Sequence, residues 1–286
     1  MMRSLRAVVL IGAAVFVLPA LAGCLQFEQA GILLPDGSGK LVMKVGLKKS
    51  TLKLIEELAR QFGGDAKPSD PLADLGNPSK LQENSEGIVA WSEPKKEEDA
   101  DWAGATVVGY FEDINKVKIY TQADGPDGQK QKKLSFACKV EKTDAGHVLT
   151  LSNDGSEELK KFTGPGEGQG NEELGKAVLE MMRPMLEGLK VTYSVTVPGP
   201  IQEATGFTEK KDRTATIAID GKAILDAMKD PQGAEAKKLK ALGESKGGRI
   251  VWRENAVPPA DVEAFKKELE TAKERWAKIL EEHKKK

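Results

Sequence analysis

The chain has 286 residues, 40% of them hydrophobic, with 43 basic against 44 acidic side chains and a formal charge of −1 at pH 7. That length suits one large domain or two small ones. The mixed charges and a pI near 6.3 exclude the clustered basic surface that nucleic-acid binding requires. Aromatic residues are only 5% of the chain, too few to advertise a large aromatic-lined cavity.

Residues 1–23 are read as a secretory signal. Arg3 and Arg6 make a positive start, and residues 7–20 are an apolar run broken by Pro19. The run falls short of the roughly 20 residues that span a bilayer. Directly after it stands Leu21-Ala22-Gly23-Cys24. These four residues resemble the lipobox of bacterial lipoproteins. The resemblance implies recognition of Leu21, Ala22 and Gly23 by a signal peptidase, cleavage before Cys24, and a diacylglyceryl group on its sulfur. Two or more acyl chains give stable membrane anchoring. Leu25 stands where Asp commonly retains such proteins at the inner membrane, so the outer membrane is expected if there are two. The chain has two cysteines. With Cys24 acylated, no intramolecular disulfide remains, and stability must come from a packed core.

Along the rest of the chain, residues 26–34 and 40–47 read as a hairpin around Pro35-Asp36-Gly37-Ser38-Gly39. Ser50 offers an N-cap for a helix over 51–62, stopped by Gly63-Gly64. Residues 65–85, rich in Pro, Asp, Asn and Lys, read as a long surface loop. A short strand follows at 87–91, then a solvated charge run at 94–101, read as loop or helix start. Residues 105–111 form a strong strand that continues, after a small kink, over 113–120. Residues 133–142 and 147–152 read as a second hairpin. Alternation there puts Cys138 on one face with Leu134, Phe136 and Val140, as a buried core thiol. A Gly-rich stretch leads to a helix over 172–189, which Pro184 kinks or ends in part. In the strand at 190–197, Val191, Tyr193, Val195 and Val197 share one face and Thr192, Ser194 and Thr196 the other. Pro198-Gly199-Pro200 breaks it. Short strands at 201–204, 214–219 and 250–253 and short helices at 223–228 and 235–241 complete the body. From Pro259, apolar residues at three- and four-residue steps among Lys and Glu predict an amphipathic helix of about 25 residues. Its stripe packs on the domain, meets a partner as in a coiled coil, or, as the least favoured reading, lies on a membrane surface.

No catalytic, metal or cofactor site emerges. Gly170-Asn171-Glu172-Glu173-Leu174-Gly175-Lys176 matches a phosphate loop, but Ala177 stands where magnesium needs Ser or Thr, and two glutamates would repel phosphate. The two histidines, His147 and His283, lack ligand spacing for zinc. The turns Asn153-Asp154-Gly155 and Asp124–Gly128 lack the stepped oxygens of a calcium loop. A serine triad would need His147, without the Gly-x-Ser-x-Gly elbow. Carboxylate pairs such as Glu97 with Asp99 leave a two-acid hydrolase as a lesser alternative. Met181, Met182 and Met185 form a soft face, either ordinary core or the lining of an apolar pocket for a lipid.

The order of four features resembles the LppM-like envelope lipoproteins. They are the lipobox ending at Cys24, the hairpin around Asp36-Gly37-Ser38-Gly39, Gly109-Tyr110-Phe111-Glu112-Asp113-Ile114-Asn115, and Tyr193-Ser194-Val195-Thr196-Val197-Pro198-Gly199-Pro200-Ile201 followed by Thr205-Gly206. The resemblance spans about residues 24–220. It implies an α+β domain on a lipid anchor, with a sheet-and-helix cavity for lipids or glycolipids and no catalytic residues. This chain departs from it at Thr205, where Asn is frequent, and in residues 259–286, too charged for the terminal membrane helix of several members. The runs of strands and of helices independently argue an α+β fold, an antiparallel β-sheet with helices packed on one face plus the long C-terminal helix. The expected divisions are a signal at 1–23, an envelope domain at 24–255 and a C-terminal helix at 256–286. The expected activity is non-enzymatic. Its expected partners are the membrane through the lipid on Cys24, a lipid-like ligand, and a protein partner through residues 259–286.

Overall fold

The computed structural model describes residues 25–50, 52–53, 72, 75, 77–124, 130–144, 146–152, 186, 188–230, 232–244 and 247–285. Residues 52–53 of the predicted helix at 51–62 are helical; the rest of it and most of that at 172–189 lie outside the described residues. The elements in order are β1 (Leu25–Leu33), β2 (Gly39–Lys48), α1 (Pro78–Glu83), β3 (Ser85–Glu86), β4 (Ile88–Trp91), β5 (Lys95–Glu98) and β6 (Trp102–Phe111). A 3-10 turn (Ile114–Lys116) leads to β7 (Lys118–Asp124), β8 (Lys130–Thr143), β9 (Gly146–Ser152), β10 (Lys190–Thr196), β11 (Ile201–Thr205), β12 (Glu209–Lys211) and β13 (Thr214–Asp220). Helices α2 (Gly221–Lys229) and α3 (Ala234–Glu244), strand β14 (Arg249–Trp252) and helix α4 (Pro259–Lys284) follow.

The chain builds two sheets, not one. The first runs β12-β13-β10-β1-β2-β6-β4, with β5 beside β6; the second runs β11-β14-β9-β8-β7-β3. The expected antiparallel sheet is corrected to a mixed one. Strand β1 pairs antiparallel with β2 but parallel with β10, Gln26 opposite Lys190 and Ile32 opposite Thr196. Parallel neighbours cannot be joined by a tight hairpin, and here the intervening chain is spent on most of both sheets. One face of the first sheet takes the second sheet, and α4 crosses the other.

Period-2 alternation decides what each face carries. Gly31 and Leu33 of β1 share the inner face with Leu41, Phe111 and Val195, against Phe136, Cys138 and Leu149 of the second sheet. On the outer face Lys40 lies opposite Tyr110, and Tyr110 meets Phe265 of α4 with ring centroids 6.3 Å apart. Phe265, Leu269 and Trp276 of that helix are buried in the same cluster as Trp91, Phe111 and Trp252. The predicted stripe therefore packs on the sheet.

Three local expectations are corrected. Residues 78–83, inside the expected loop, form a helix: Asn77 accepts from the Ser79 and Lys80 amides, and Pro78 begins the first turn. Residues 95–98, inside the charge run, form an edge strand on β6. The expected continuation from residue 113 is a change of sheet. Asp113 accepts from the Asn115 amide, the 3-10 turn re-aims the chain, and β7 joins β8. At the β1–β2 turn Gly37 has φ +87°, which glycine adopts without strain. At Gly109 the missing side chain lets the Trp91 indole lie on β6; a Cβ there would stand 2.9 Å from it.

Candidate functional site

Leu21, Ala22, Gly23, the lipidation candidate Cys24 and the three methionines Met181, Met182 and Met185 lie outside the described residues. What is described begins at the residue after Cys24. Leu25 is already in β1, opposite Leu47, and Gln26 is held on both sides, by Gly46 and Lys190.

The inner face of the first sheet falls into two halves along β1. Toward Leu33 it is covered by the second sheet. The void left between Phe111, Phe136, Cys138 and Leu149 is about 10 Å³, room for one water at most. No ligand fits there. Toward Leu25 the same face continues as Phe27, Met43, Val45, Val191, Tyr193, Ile217 and Ile219, all half-buried. Phe27 and Tyr193 meet with ring centroids 5.5 Å apart, and burial pushes the Tyr193 phenol above its ordinary pKa. The buried Gln29 lies on the same face, between Phe27 and Gly31.

At the Leu33 end, an open groove of about 670 Å³ runs between α4 and β4–β6, lined by Trp91, Tyr110, Lys267, Glu268, Arg275 and Ile279 among others. The Tyr110 hydroxyl donates to Glu268 Oε1 at 2.9 Å, and Lys40 Nζ donates to the same oxygen at 3.1 Å. Burial first, and the Glu268 carboxylate second, push the Tyr110 phenol up to about 12. Lys273 reaches Glu112 and Glu270. These contacts dock the helix; Lys267 and Arg275 are left exposed on the groove rim.

The other candidates from the sequence separate in space. Cys138 is 6% exposed, and burial pushes its thiol well above the ordinary range, as expected of a core thiol. Glu97 bonds Lys44 and Thr106, and the Lys44 ammonium holds its carboxyl low. Asp99 accepts from the Trp102 and Asp101 amides, which lower its pKa. The two acids thus serve different partners. His147 is stacked on Trp252, centroids 5.3 Å apart, and His283 is exposed in the last turn of α4. Among the described residues no cluster of three His, Cys, Asp or Glu could hold a metal ion, and no helix is long and apolar enough to cross a membrane.

Compared with family models and with curated proteins, the chain gives no match. The folded domain of LppM from Mycobacterium tuberculosis, known from an NMR structure, aligns with it. The alignment covers 70% of this chain and 84% of that one, at 11% identity and a TM-score of 0.32. Function is therefore read from this chain's own residues.

Proposed function

We propose that this is a lipid-anchored, non-enzymatic protein of a bacterial envelope, held to the membrane through Cys24 and offering an apolar surface to a lipid-like ligand. The observation that carries the reading is Leu21-Ala22-Gly23-Cys24 behind a charged start and an apolar run. The half-buried strip of Phe27, Val45, Tyr193 and Ile217 supports the ligand, since Phe27 lies on the strand that follows Cys24 and the others on strands beside it. The filled space between the sheets confines any such ligand to that strip and to what faces it.

Intact mass of the membrane-extracted protein, beside Cys24→Ala, tests the anchor. The expected mass starts at residue 24 and carries acyl groups that the variant lacks; retained residues 1–23 would overturn it. Native mass spectrometry of the acyl-free chain tests the ligand, and absence of bound envelope lipid would remove that half of the proposal.

A second reading is favoured by the groove under α4. Its exposed Lys267 and Arg275 beside Trp91 and Ile279 suit an acidic, partly apolar protein segment. The expected outcome is that Arg275→Glu abolishes a partner without unfolding the chain, read by cross-linking in cells and by circular dichroism. The outer membrane, where there are two, is the proposed location on the strength of Leu25.

A further inference from the structure

We infer that the end of the first sheet that carries Leu25 is a membrane-contacting rim, and that a bilayer surface is its occupant. The inference rests on the lipid anchor proposed above and adds to it an orientation and a contact surface. The argument starts from the absence of slack. Consecutive Cα atoms are 3.8 Å apart, so an acylated Cys24 stands one such step from Leu25. Leu25 is paired with Leu47, and the next residue, Gln26, is paired on both sides. A strand locked on both sides cannot act as a tether. Whatever lies level with Leu25 at that end of the sheet is brought to the headgroups along with it.

The residues at that level have the right chemistry. Lys48 is the last residue of β2 and pairs with Trp102, the first of β6. Its ammonium sits 5.7 Å from the Trp102 ring centroid. A half-buried indole with a lysine beside it is the kind of pair that settles at the headgroup level. Lys190, exposed at the start of β10, stands on the other side of β1. Of the carboxylates at the same end, Asp101 is exposed beside Trp102, and three others are engaged. Asp99 accepts two backbone amides, Glu98 pairs with Lys49, and Asp220 caps α2 through the Ala223 amide. Neither Lys48 nor Lys190 makes an ion pair among the described residues.

Helix α2 starts at this end too, after Asp220, whereas α4 lies at the other. Strand β1 has nine residues, so Leu33 lies about 26 Å from Leu25 at about 3.3 Å per residue. Trp91, Trp252 and Trp276 are buried and belong to the cluster at the Leu33 end. The α4 groove is at that end too, turned toward the space beyond the membrane. The four tryptophans therefore divide into one at the rim and three far from it.

That division makes the test. The acylated protein, its mass verified, is reconstituted in phosphatidylethanolamine–phosphatidylglycerol vesicles containing a phospholipid brominated near the headgroup. The expected result is quenching of tryptophan fluorescence that Trp102→Phe removes almost entirely. Acylated protein that floats with the vesicles, yet shows no quenching or quenching that survives Trp102→Phe, overturns the rim while leaving the anchor intact. A mass without acyl groups overturns the anchor itself. Should Trp102→Phe fail to fold, nitroxides at Lys190→Cys and at Lys267→Cys read the same geometry. A lipid-bound nickel chelate is expected to relax the first strongly and the second weakly, and equal relaxation overturns the inference.

Discussion

Leu269→Ala tests whether α4 belongs to the core. Leu269 is 5% exposed and sits between Phe265 and Trp276 on the buried stripe. The substitution removes three carbons, about 2.4 kcal/mol at about 0.8 kcal/mol per buried methylene. If about 50 Å³ then stays unfilled, a cavity cost of about 24 cal/mol per Å³ adds about 1.2 kcal/mol. The expected loss is therefore about 3–4 kcal/mol. The assay is urea unfolding of residues 24–286, carrying Cys24→Ala, followed by circular dichroism. With a urea slope of about 1–3 kcal/mol per molar, the midpoint should fall by about 1–4 M. Lys278→Ala, on the exposed side of the same helix, should stay within about 0.5 kcal/mol of the parent. A Leu269→Ala midpoint that also stays within that margin would refute the packing argument and would return residues 259–286 to the role of a free partner helix.

Three more outcomes follow from the same packing. Cys138, buried with its pKa pushed up, should resist iodoacetamide in the folded Cys24→Ala chain and react only on unfolding; prompt native labelling, read by mass, would contradict this. The Tyr110 phenol is pushed up to about 12 from the ordinary value near 10. Between those pH values the unfolded state releases a proton that the folded state keeps, so stability should fall as pH rises from about 10 to 12. Tyr110→Phe should flatten that slope in urea titrations, and an unchanged slope would count against the Glu268 contact. Gly109→Ala would set a Cβ 2.9 Å from the Trp91 indole. A loss of about 1–3 kcal/mol is expected for such overpacking in a full core, with a near-ultraviolet change in tryptophan dichroism; a neutral effect would mean the indole is free to move.

Some of the missed structure left local marks. Asn77-Pro78 is an N-cap followed by the residue that best tolerates the first helical turn. A reading of Pro and Asn as loop residues passed over it. Asp113, two residues before the amide it bonds, is likewise a turn signal at the place where the chain changes sheets. The groove left no such mark. Trp91, Tyr110 and Arg275 are far apart in sequence, and only the docking of α4 on β4 and β6 gathers them. The proposed rim is intermediate: the resemblance of Leu21–Cys24 to a lipobox is legible in the sequence, but that Leu25 is already paired in a sheet is not.

By itself the sequence determined the faces. Alternation in residues 190–197 put Tyr193 and Val195 on one side and the threonines on the other. Alternation around Cys138 predicted its burial, and the three- and four-residue steps after Pro259 marked the stripe that α4 buries. Side-chain periodicity encodes which side of an element is apolar, and that is a property of the chain alone. Only the tertiary structure decided the partners. It set β10 parallel to β1, recruited the charged residues 95–98 as an edge strand on β6, and split the stretch from residue 105 to residue 124 between two sheets. Strands are joined by backbone N–H and C=O groups that every residue except proline carries alike. Pairing is therefore chosen by which apolar faces can be buried together, a choice that involves the whole chain at once.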